Sequence, residues 1–155
     1  MRAELIARIH AIEEAYEFML AYAAQGLPGD TGTQSGGELR LFLDRGATAI
    51  EGIAATFTRI VEGDGLEPAN TFLAFRDVLE HDARAALAAI ELVRAQRSIS
   101  SQLVDNLNAS IHVRALLTDL FLLDELLKPL AADRDRGSEL RDQAPGQLGS
   151  SSLDP

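Results

Sequence analysis

The chain has 155 residues, of which 46% are hydrophobic and 25% charged, with a formal net charge of −10. A chain of this length suits one core that folds without help, and the absence of cysteine removes thiol chemistry, disulfide scaffolds and Cys-based zinc sites together. The negative charge is spread thinly and there is no basic stripe, which argues against nucleic acid and anionic membranes as partners.

The first apolar pattern covers residues 2–25. Leu5, Ile9, Ile12, Tyr16, Met19 and Ala23 recur at steps of three and four, the period of one helical stripe. Glu4, Arg8, His10, Glu13 and Glu14 interrupt it too often for a signal peptide, so a cytoplasmic location is expected. Gly26, Pro28 and Gly29 end the helix and open the loop GLPGDTGTQSGG. That loop follows a helix rather than a strand and has no Lys, so it lacks the context of a phosphate-binding loop.

A second helix is expected over 38–62, with Leu39, Phe42, Leu43, Ile50, Ile53, Phe57 and Ile60 facing inward. Gly46 and Gly52 interrupt it, each costing up to about 1 kcal/mol against Ala. A third begins near Pro68, a residue suited to a first helical position, and runs to about residue 96 through Phe72, Phe75, Leu79, Ala83, Ala86, Ile90 and Val93. Ser98 then reads as the cap of a fourth helix over 99–128, which Pro129 stops. The last two helices should form an antiparallel hairpin.

The expected fold is therefore all-α: a four-helix antiparallel bundle over 1–130, followed by a disordered acidic and polar tail over 131–155. The stretch 116–127 is the most apolar, but it holds Asp119, Asp124 and Glu125 and is too short to span a bilayer.

The fourth helix carries two apolar stripes where one suffices. Leu103, Val113, Leu116, Leu117, Leu120, Phe121, Leu123 and Leu127 make the first. Val104, Ile111, Ala115, Leu122 and Leu126 make the second, spaced 7, 4, 7 and 4 in a heptad-like register. A helix hydrophobic nearly all round must be covered nearly all round, either by its own bundle or by another chain. The second stripe is accordingly the expected interface of a homodimer or of another protein partner.

The same helix holds Asp105, Asn106, Asn108, Ser110, His112 and Arg114, a polar set that could build a ligand pocket or a buried network. Asn106, Ser110 and Arg114 are expected on its core side. His112 precedes Val113, Arg114, Ala115 and Leu116, and this short stretch resembles the phospho-accepting helix of two-component signalling proteins. It departs from that pattern in lacking an acidic residue directly after the His and a following Lys-Gly. The resemblance implies a phosphotransfer or ligand-sensing module centred on His112, with Asn108 and Asp105 beside it.

Metal chemistry is the remaining option for a bundle. Ala7, Val78 and Ala109 stand three before the three histidines, where a carboxylate-bridged di-metal site needs Glu. His10 and Glu14 share one helix face and could hold one ion with help from Glu80, His81 or Asp82. No cofactor is expected. The leading expectation is a non-enzymatic interaction or accessory protein, regulatory or structural in assembly, acting through the second stripe of its fourth helix.

Overall fold

The computed structural model describes the backbone of residues 1–142 and the side chains of residues 1–128. Residues 143–155, most of the expected tail, lie outside the described residues. Among the described residues the chain is helical, without a strand: α1 Arg2–Ala24, α2 Gln34–Glu51, α3 Ile53–Gly63, α4 Ala69–Arg94, α5 Ser101–Ala109 and α6 Ile111–Asp142. It divides into two compact units, Met1–Phe121 and Leu122–Pro155, with the boundary inside α6. Two of the four expected helices are each broken once, and the last does not stop at Pro129.

In the first unit α1 packs against α2, α3 and α5, and α4 packs against the same three. The inward residues follow most of the expected stripes, Leu5, Ile9, Ile12 and Met19 on α1 and Leu79, Ala83, Ala86, Ile90 and Val93 on α4, while Tyr16, Ala23, Phe72 and Phe75 are only half-buried. Fully enclosing a Leu, Ile, Val or Met side chain contributes about 1.5–3 kcal/mol, so these stripes are a large part of the stabilisation.

The helix ends are built from short-range chemistry. Thr33 caps α2 by accepting from the Gly36 amide at 2.9 Å, which starts that helix earlier than the glycines suggest. Ser100, rather than Ser98, caps α5 through the Leu103 amide at 3.0 Å. After α3, Gly65 takes φ 61 and the Leu66 amide returns to the Val61 carbonyl at 3.1 Å, closing the helix with Leu66 buried beneath it.

The break between α2 and α3 falls at Gly52, where Arg8 of α1 arrives from the side. Its Nη1 donates to the carbonyls of Thr48 and Ala49, at 3.1 and 3.2 Å. In an unbroken helix those carbonyls would accept from Gly52 and Ile53. The Gly52 amide turns instead to Ile50, and the guanidinium occupies the space a Cβ at this position would need. Glycine leaves room here for an arginine that replaces part of the helical ladder.

A second cross-link closes the opposite end of the unit. Asp30, in the loop after α1, pairs with Arg40 at 2.6 Å and accepts from the Ile99 amide at 2.6 Å. Tyr22 donates its hydroxyl proton to the Ile99 carbonyl at 2.7 Å. Ser101 donates to the Tyr22 carbonyl and accepts from the Leu27 amide. Arg40 also reaches the carbonyls of Arg94, Gln96 and Arg97, which α4 leaves without helical partners.

Candidate functional site

The last two helices meet at one residue. Ser110 has φ −61 and ψ 140, extended rather than helical, and it serves both neighbours. Its amide donates to Leu107 at 3.1 Å, ending α5, while its hydroxyl accepts from Val113 at 3.4 Å and its carbonyl from Arg114 at 3.3 Å, starting α6. The single continuous helix expected over 99–128 is therefore two helices. The reason lies in what each must bury. α5 encloses Ser101, Val104, Leu107 and Asn108, and the start of α6 encloses Val113, Leu116, Leu117 and Leu120. At about 100° per residue, these two sets would centre some 160° apart on a straight helix. No straight helix can turn both toward the same neighbours, and the bend at Ser110 does so.

That geometry revises the second stripe. Val104 is fully enclosed at 0% exposure and leaves the proposed interface. Ile111 is 73% exposed and Ala115 half-buried. Phe121, expected in the core, is 58% exposed. In the second unit, Leu122 and Leu126 stand half in solvent.

The expected polar set is dispersed rather than assembled. Asn106 and Arg114 are exposed, not on the core side, and Asn106 accepts from Gln102 at 3.1 Å. Asp105 is exposed and lines a hollow of about 500 Å³ with Leu20, Pro28, Ser100 and Gln102. His112 is exposed on the first turn of α6. Asn108 alone is enclosed, with neither its amide nitrogen nor its oxygen hydrogen-bonded. Asp105, Asn108 and His112 thus face different surroundings and do not form one pocket. His10 and Glu14 are both exposed, and no group of three or more metal-binding side chains occurs among the described residues.

One titratable pair was not anticipated. Asp119 on α6 is only 6% exposed, and its Oδ2 has no hydrogen-bond partner. Burial, reinforced by the neighbouring Asp82 carboxyl of α4, pushes its pKa up to about 7. His81 lies against Asp82, with Nδ1 and Oδ1 3.4 Å apart. An Asp between the apolar residues Leu116, Leu117, Leu120 and Phe121 was the sequence signal for this pair. Its partner carboxyl on another helix had none.

Among the described residues no helix is long and apolar enough to cross a membrane. Comparison with family models, with curated proteins and with solved structures finds no match.

Proposed function

We propose that this chain is a non-enzymatic interaction protein, regulatory or structural in assembly, that pairs with a second copy of itself through the outer face of α6. The observation that carries the reading is the exposure of Ile111, with Ala115, Leu122 and Leu126 following it along α6 at spacings of 4, 7 and 4. Single exposed apolar residues are ordinary on any protein, and Leu41 and Leu92 are examples here. A periodic set on one helix is different, because its solvent exposure is relieved only by a complementary surface. We read the six helical segments as four antiparallel rods, with α2–α3 and α5–α6 each a broken rod, and the protein as cytoplasmic.

Mass in solution tests this. Light scattering from micromolar to submillimolar concentration should show a dimer whose dissociation is promoted by Leu122→Glu. A strict monomer over that range would remove the reading.

A further inference from the structure

We propose that two copies of this chain exchange α6 through Ser110, forming a domain-swapped dimer. This goes beyond the outer-face contact and does not depend on it. A single non-helical residue separates α5 from α6, and its departure from helix lies in ψ. Straightening that one residue would give the amides of Ile111 and His112 the carbonyls of Leu107 and Asn108, partners they lack as the first residues of a helix.

The two buried faces give the direction of exchange. In the straight form α5 keeps Val104 and Leu107 against its own α1, as now. The set Val113, Leu116 and Leu117 then points the opposite way, out of its own bundle and toward a second one. A second copy offers the same seat that these residues occupy in the bent form, against Ile12, Ile50 and Ala86. The contacts that Val113, Leu116 and Leu117 give up within one chain are regained between two. Exchange of an identical element through a short connection is a low-cost route to a dimer for this reason.

Ile111→Pro isolates the hinge. Proline is favoured at a first helical position, and Ser110 already holds the extended conformation preferred before proline, so the bent monomer should fold. In the straight form the same ring removes an amide and collides with the Leu107 carbonyl. Ile111→Ala controls for the lost side chain. Gln102 and Thr118 are exposed, and a chain without native cysteine accepts a label pair at these two sites cleanly. In a straight helix their Cα atoms lie about 24 Å apart, farther than the bend allows. Labelled protein diluted in unlabelled protein should show this longer intrachain distance growing with dimer mass. Ile111→Pro should weaken dimerisation about 100-fold or more beyond Ile111→Ala and abolish the long distance, whereas the Ile111→Ala dimer, weakened only by the lost outer-face side chain, should keep that distance. A dimer that keeps the bent distance, or an Ile111→Pro protein that dimerises like the wild type, overturns the exchange. If Leu122→Glu dissociates such a dimer, the outer-face reading survives alone. If Leu122→Glu leaves a long-distance dimer intact, the exchange survives alone. A chain monomeric throughout overturns both.

Discussion

The amide of Ile99 donates to Asp30 Oδ1 across 2.6 Å, so the loop after α1 and the connection before α5 share one buried carboxylate. Two segments distant in sequence are held by a group that must stay ionised to hold them.

Asp30→Asn should lower stability by about 2–3 kcal/mol in urea titration, since Arg40 loses its countercharge beside a buried amide. Burial pushes the Asp30 pKa upward, but the Arg40 and Ile99 hydrogen bonds outweigh it and hold the carboxyl below the usual aspartate range. A depressed folded value contributes stability that is present above the unfolded pKa of about 4 and is lost as pH falls through the folded one. The urea midpoint of the wild type should therefore drop in acid, and that of Asp30→Asn should drop less.

Asp119 acts with the opposite sign. Its pKa is raised to about 7, so its contribution is intact below about pH 4, declines as pH rises toward 7 and is flat above. Asp119→Asn should remove this decline and exceed the wild type at pH 8 by about 1–3 kcal/mol. A wild type equally stable at pH 5 and pH 8, after the other titrations are subtracted with Asp119→Asn, would contradict it.

Gly52→Ala tests the arginine in the helix break. Alanine gains up to about 1 kcal/mol in helix propensity, yet its Cβ must displace the Arg8 guanidinium from two carbonyls. We expect a net loss of about 1 kcal/mol. With Arg8→Ala already present, the same change should be neutral or stabilising, and a double-mutant cycle measures the difference.

Val104 and Ile111 sit seven apart in one apparent register but should behave oppositely. Val104→Ala should cost about 2 kcal/mol in unfolding and leave mass unchanged at concentrations where the fold persists. Ile111→Glu should leave unfolding within about 0.5 kcal/mol and lower self-association at least tenfold. Equal effects of the two on dimer mass would return Val104 to the interface.

The period of three and four placed α1 and α4 correctly because each buries one stripe, Leu5 to Met19 and Leu79 to Val93, although Phe72 and Phe75 at the start of α4 are only half-buried. The breaks were less legible. Gly52 was visible as a weak point, but its cause is Arg8, more than forty residues away and silent in any local pattern. Ser110 looked like one polar residue in a helix whose apolar positions continue in phase on both sides. That phase misleads, since α5 turns inward the side that α6 turns outward. The polar set failed for a similar reason: once the helix bends, Asn108 and His112 no longer share a face.

Arg40 has a consequence for proteolysis. A trypsin-like enzyme finds two arginines at the end of α4 and in the connection that follows, Arg94 and Arg97, and must polarise the carbonyl of the residue it cleaves after. Arg40 already donates to both of those carbonyls, and to that of Gln96 between them. The peptide bonds there are occupied before any enzyme arrives. Nicking at this exposed turn should wait on the release of Arg40, so the rate of cleavage after Arg97 reports the opening of that end of the molecule.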